Sequence, residues 1–332
     1  MMDAAAPSGD VLLVQAVSRR SQMLRRFSRD DAIFRLLTQS SAIAVLVILA
    51  GVLLSLLLGS LPAWRAFGFD FLTSQSWNPV TEKFGALPAI YGTLLTSVIA
   101  MLIGVPVSLG IAIFLTEICP QSLRRTIGTA IELLAGIPSI IYGIWGLFVF
   151  APFVQAHVQP ALIDTFANIP ILNQLFAGPP YGIGLLTAGL ILAIMVLPFI
   201  TSITREVFDT VPPVLKEAAY GIGCTRWEVM RRVVIPYTRV GIIGGVMLGL
   251  GRALGETMAV TFVIGNAHRI MPSIMAPGTT ISASIANEFT EATGDLYTAS
   301  LIALGLILFL ITFAVLAAAR LILMRIARKA GN

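Results

Sequence analysis

Two charged residues stand inside an otherwise apolar stretch, GGVMLGLGRALGETMAVTFVIG: Arg252 and Glu256. An arginine at the centre of a membrane-crossing helix costs roughly 2.5 to 3.5 kcal/mol, so these side chains are expected to face protein or water and not lipid. Four residues apart on a helix, they share a face and lie within pairing reach. Two chemistries fit. They can form a structural ion pair that locks a bundle. Alternatively, Arg252 can offer its planar guanidinium fork to an oxyanion, with Glu256 compensating the charge or accepting a proton from a protonated oxyanion. Residue types alone leave both open.

The second constellation is KEAAYGIGCTRWEVMRRVVIP, Lys216 to Pro236, the most polar long interruption of the chain. It reads as two short helices joined at Gly223, which permits a tight reversal, and closed by Pro236. Glu217 offers a carboxylate to an outside partner, and Ala218 and Ala219 are small enough to let another surface approach closely. The plainer alternative is an amphipathic connection lying on a membrane. Downstream, Gly241, Gly245 and Gly249 recur every four residues, and Gly251 and Gly255 repeat that interval, which smooths a helix for close packing.

Other chemistries find little support. A nucleotide-binding loop needs Gly-Lys followed by Ser or Thr, but Lys83, Lys216 and Lys329 follow Glu82, Leu215 and Arg328. No ATPase activity is expected of this chain. Cys119 and Cys224 fall in polar connections expected on the cytoplasmic side and have no ligand-like spacing to His157 or His268, so neither a disulfide nor a metal site is expected. Asp3 and Asp10 stand where a cleavable signal peptide would carry basic residues.

The elements that must position these residues follow from composition. The 332-residue chain is 57% hydrophobic and 12% charged, with a net charge of +5 and a mean hydropathy of +0.89. Soluble domains carry about twice that charged fraction, so the excess apolar surface faces lipid. The net charge is no nucleic-acid footprint, because in a membrane protein the location of each positive charge matters more than the sum.

Apolar runs of sufficient length predict an all-α integral membrane protein. Its six spans are expected near 40–61, 90–116, 127–150, 181–203, 240–264 and 297–319. A polar tail covers 1–38, the membrane domain 39–325 with the Lys216–Pro236 helices inside 204–237, and a basic tail 326–332. Loops are expected at 62–89, 151–180 (rich in proline) and 265–296. Eighteen Lys and Arg residues fall on the side of the tails and of Lys216–Pro236, and three (Arg65, Lys83, Arg269) on the other. That bias puts both termini in the cytoplasm. Glu132 is expected in the first turns of the third span, near the cytoplasmic interface.

The Lys216–Pro236 stretch resembles the EAA signature of membrane subunits of ABC importers: Glu217-Ala218-Ala219, three residues, Gly223, nine residues, then Val233, Ile235 and Pro236. The signature usually has isoleucine where this chain has Val233 and leucine where it has Ile235. LPAIYGTLLTS from Leu87, AGIPSIIYGIWG from Ala135 and LGRALGETMAV from Leu250 resemble the phosphate-specific ABC permeases, the PstC-type subunit more than its PstA-type partner. The likeness extends over about residues 85 to 325.

It implies a type I ABC importer permease fold in a bacterial inner membrane. It also implies a heterodimer with a PstA-type permease, two ATPase subunits that bind ATP and Mg, and a periplasmic phosphate-binding protein. Under it, Glu217, Ala218, Ala219, Gly223 and Pro236 dock an ATPase subunit, and Arg252 and Glu256 match charged positions associated with phosphate translocation. A permease for sulfate or molybdate is the neighbouring alternative. A channel or ion-coupled carrier, which would transport without an ATPase, is the more distant one.

Overall fold

The computed structural model describes residues 9–330, so residues 1–8 and 331–332 of the two tails lie outside the described residues. The chain divides into two units, residues 1–58 and 59–332. The described part of the first unit belongs to one helix, α1 (Gly9–Phe67), whose last turns enter the second. No break separates the tail from the span: the membrane-competent portion is Asp31–Phe67, longer at both ends than the predicted 40–61.

The second unit continues with α2 (Asp70–Thr73), α3 (Leu87–Ile118), α4 (Gln121–Ala135), α5 (Ser139–Phe166) and α6 (Pro170–Leu175). Then follow α7 (Leu185–Asp209), α8 (Pro213–Gly221), α9 (Arg226–Gly255), α10 (Met258–Val263), α11 (Ile281–Glu288) and α12 (Asp295–Ala330). Among the described residues, α1, α3, α5, α7, α9 and α12 are long and apolar enough to cross a membrane.

The core is built around α7. Of its apolar window 67% is buried, against 22% for α5 and 28% for α3, α9 and α12, so the others face outward on most of their surface while α7 is enclosed. Its apolar side chains point in every direction, as a helix surrounded by helices requires. Leu185, Ile191 and Met195 pack toward α10 and α11, and Leu192, Val196 and Ile200 toward α3 and α9. Small residues bring the backbones together. A Cβ added at Gly104 of α3 would stand 2.9 Å from Val196, and added Cβ atoms at Gly241, Gly245 and Gly249 of α9 would stand 2.5, 3.0 and 2.8 Å from Val207, Ile203 and Ile200. The i, i+4 glycine row is therefore the seam between α9 and α7.

Two predicted boundaries are corrected. The third span is not 127–150. The chain stops at Gly136-Ile137-Pro138 and restarts at Ser139, because a residue before proline is pushed out of the helical region and Pro138 has no N–H to donate. What precedes the break is α4, amphipathic and buried only at Gly128. Ion pairs hold it to α7: Arg124 to Asp209 at 2.7 Å and Arg205 to Glu132 at 3.3 Å. Glu132 thus belongs to a surface helix and not to a span. The predicted loop 151–180 is helical as far as Phe166, because α5 runs through Pro152 and Pro160.

Candidate functional site

The helix carrying Arg252 does not continue to Glu256. Helix α9 ends at Gly255, and Glu256 is extended at φ −67°, ψ 131°. The expected i, i+4 face is therefore absent, and among the described residues no ion pair joins the two. Instead Glu256, only 9% exposed, accepts the Ala259 amide at 3.4 Å and so caps the first turn of α10. Gly255 favours that break, being a poor residue for a helix interior.

Arg252 finds other company. Its guanidinium carbon lies 4.4 Å above the ring of Phe199 on α7, a cation–π stack of the kind that contributes roughly 0.5 to 2 kcal/mol as it is desolvated. Its Nε is buried and has no hydrogen-bond partner among the described residues. The Tyr142 hydroxyl of α5 donates to the Leu134 carbonyl at 3.0 Å and so bridges the break at Pro138. The region around Arg252 thus draws on α7 and α9. Phe199 carries no sequence signal, because a phenylalanine in an apolar span reads as core or lipid-facing surface.

The Lys216–Pro236 stretch forms α8 and the start of α9, hinged at Gly223 with φ +89°, a left-handed conformation that suits glycine. Helix α9 opens on a capping box. Glu228 Oε2 accepts the Thr225 amide at 2.9 Å, and Thr225 Oγ1 accepts the Glu228 amide at 3.4 Å. Glu217, Ala218, Gly223 and Pro236 are exposed, beside exposed Val214, Ile222 and Trp227. Ala219 departs from its expectation: it turns inward against a core that includes Phe208, Val211, Val229 and Met230.

A further polar cluster lies at the opposite end of the bundle. Glu288 of α11 accepts from Trp77 Nε1 at 2.6 Å and from the Tyr297 hydroxyl at 2.6 Å, and it pairs with His268 Nε2 at 2.7 Å. Trp77 stacks on His268 with ring centres 5.0 Å apart, and Phe84 on Tyr297 at the same separation. Burial pushes the Glu288 carboxyl up, but the three donors outweigh it and hold the group below the usual carboxylate range. The partners lie up to 211 residues away in sequence, so no local motif announces them.

Comparison with known proteins agrees with this architecture. The chain aligns with a chain of a solved bacterial ABC transporter involved in the import of the acidic polysaccharide alginate, at 18% identity and a TM-score of 0.59, covering 92% of this chain and 99% of that one. The fold is that of a type I ABC importer permease, a multi-pass inner-membrane protein.

Residues 104–328 match the family described as "Binding-protein-dependent transport system inner membrane component". Two curated relatives are both called phosphate transport system permease protein PstC. One, from Mesorhizobium japonicum, is 72% identical over 95% of this chain and 96% of its own. The other, from Pasteurella multocida, is 58% identical over 91% and 94%. The chain belongs to the binding-protein-dependent transport system inner membrane component family.

Proposed function

We propose that this chain is the membrane permease subunit of an ATP-driven inorganic phosphate importer and forms half of its translocation path. The observation that carries the reading is the 72% identity, over nearly the whole length, to a relative named as a phosphate transport permease. The chemistry at Arg252 supports it. A buried guanidinium N–H without an acceptor costs about 1 to 3 kcal/mol, which an arriving oxyanion recovers. Phe199 supports one face of the group, and its edge is the part that can meet two oxygens.

Energy comes from outside the chain. In this reading a PstA-type permease completes the path, and two ATPase subunits bind ATP and Mg and engage Glu217, Ala218, Gly223 and Pro236. A periplasmic phosphate-binding protein delivers the ion at the end of the bundle holding Glu288, and both termini are cytoplasmic. ATP binding draws the ATPase subunits together, the docked helices follow, and the path opens outward. Hydrolysis resets it, and phosphate passes Arg252 inward.

The test is uptake of labelled phosphate, sulfate and molybdate by the complete complex in proteoliposomes, with and without ATP. ATP-dependent phosphate uptake, abolished by Arg252→Gln without loss of assembly, is expected. Preference for sulfate or molybdate, or uptake by this chain alone, would exclude the reading.

A further inference from the structure

Glu117 occupies the last, wide turn of α3 (Phe114–Ile118), at the end of the bundle that carries α8. Three groups from α8 and the start of α9 converge on it. Lys216 Nζ meets its Oε1 at 2.6 Å, the Tyr220 hydroxyl reaches Oε2 at 3.5 Å, and Arg226 Nη1 donates to its backbone carbonyl at 3.1 Å. Lys216 and Tyr220 are four apart on α8, so they share one face and grip one carboxylate. Glu217, one residue on, is turned about 100° away and is exposed.

The side chains of Lys216 and Glu117 are only 21% and 10% exposed. That takes the pair out of the class of surface ion pairs that contribute next to nothing. Removing one partner leaves the other charge largely buried and without its ion-pair partner. Both segments flanking Gly223, α8 through Lys216 and the first turn of α9 through Arg226, are thereby fastened to the same residue of α3.

Helix α3 in turn lies along α7, so closely that a Cβ at Gly189 of α7 would stand 2.6 Å from Ile99, and α7 carries the Phe199 ring beneath Arg252. A continuous packed route therefore runs from α8 through Glu117, α3 and α7 to the face of the Arg252 guanidinium. It is separate from the direct route along α9.

We propose that Glu117 is a positioning residue that carries the stroke of the partner ATPase from α8 into α3, so that two spans move together and not α9 alone. This rests on the reading above only in assuming that an ATPase subunit docks on α8. The test uses the complete transporter in a Cys119→Ser, Cys224→Ser background. Spin labels replace Leu102 on α3 and Leu310 on α12, or Leu248 on α9 and Leu310.

In the parent complex both distances should change between the nucleotide-free and ATP-trapped states. Glu117→Gln and Lys216→Met should remove the α3 change and keep the α9 change. The solute moved per ATP should fall roughly tenfold, the factor that about 1.4 kcal/mol of lost coupling represents. The exchange Glu117→Lys with Lys216→Glu should restore the α3 change, the double-variant signature of a direct interaction.

An α3 distance that does not respond to ATP in the parent, or that responds fully in the single variants, overturns the proposal. So does loss of the ATPase subunits in the single variants with recovery in the exchange, which would make the contact one of assembly. Phosphate uptake by the parent is read separately, so failure of the phosphate reading leaves the distance measurement decisive.

Discussion

At the scale of the residue, the informative contrast is between Arg252 and Phe199. The arginine is legible in sequence because a charge amid apolar neighbours demands an explanation. The phenylalanine beneath it is not, since its role exists only through a contact 53 positions away. Its weight can be measured. Phe199→Leu keeps apolar volume but removes the ring quadrupole, forfeiting the roughly 0.5 to 2 kcal/mol of a cation–π contact. The half-saturating phosphate concentration of reconstituted complex should rise several-fold, while Phe199→Trp, a better cation partner, should stay near wild type. Equal losses in both variants would mean that the site needs the volume of Phe199 and not its face.

Glu288 offers a second residue-scale prediction, with a definite sign. Its carboxyl is held below the usual range by His268, Tyr297 and Trp77 against the opposing effect of burial. A depressed folded-state value means the carboxylate stabilises the fold fully above the unfolded-state value of about 4.3. That stabilisation is lost as the pH falls through the lower folded value. The difference in thermal stability between wild type and Glu288→Gln should therefore persist down to about pH 5 and shrink only below about 4. Hydrogen bonds to a charged acceptor contribute about 1.5 to 3 kcal/mol, so the plateau should be measurable. A difference that already fades between pH 7 and 6 would assign it to another group.

At the scale of the element, proline is what separates the predicted boundaries from the observed ones. Pro138 fell inside an expected span and Pro152 and Pro160 in an expected loop, but of the three only Pro138 ends a helix. Three wide, π-helical turns, Gly146–Phe150, Val154–Val158 and Met230–Val234, each end two residues before a proline that the helix runs through: Pro152, Pro160 and Pro236. A proline ring collides with the carbonyl four residues back. Opening the preceding turn to an i to i+5 pattern displaces that carbonyl and lets the helix continue. Composition cannot tell a proline so accommodated from one that terminates, which is why the spans were countable in the sequence but their ends were not.

The glycine seam supplies the element-scale prediction. At Gly249, one turn before Arg252, an added Cβ stands 2.8 Å from Ile200. Alanine there could be absorbed by a small shift of the isoleucine tip. Valine adds two further carbons with little rotameric freedom, and overpacking of that kind costs about 1 to 3 kcal/mol. Gly249→Val should push α9 from α7, separate Arg252 from Phe199 and abolish uptake. Gly244→Ala, where nothing lies within 4 Å, should be neutral. Full uptake by Gly249→Val would show that the seam tolerates opening without disturbing the site.

At the scale of the whole molecule, the arrangement joins two ends of a bundle through one residue's surroundings. Pro236 and Arg252 stand on the same unbroken helical segment, Ile235–Gly255, and their 16-residue separation is about 24 Å at 1.5 Å per residue. At the near end, exposed Glu217 and its apolar neighbours Val214, Ile222 and Trp227 form a surface that the described residues leave uncovered. Under the proposed function this surface meets the ATPase subunit. Glu217 itself makes no hydrogen bond or ion pair among the described residues, so reversing its charge should act on that meeting alone. Glu217→Lys should leave the thermal stability of the isolated chain within about 0.5 kcal/mol of wild type, as for other surface substitutions. It should also sharply reduce co-purification of the ATPase subunit, ATP-driven uptake, or both. Lys216, its neighbour, predicts the opposite pattern, because its partner is Glu117 within the chain: assembly retained and coupling impaired. Two adjacent residues on one short helix should thus fail in different ways, measured by co-purification in one case and by solute moved per ATP in the other. Identical phenotypes would mean that α8 acts as a rigid plug and that the division between its inner and outer faces has no mechanical meaning.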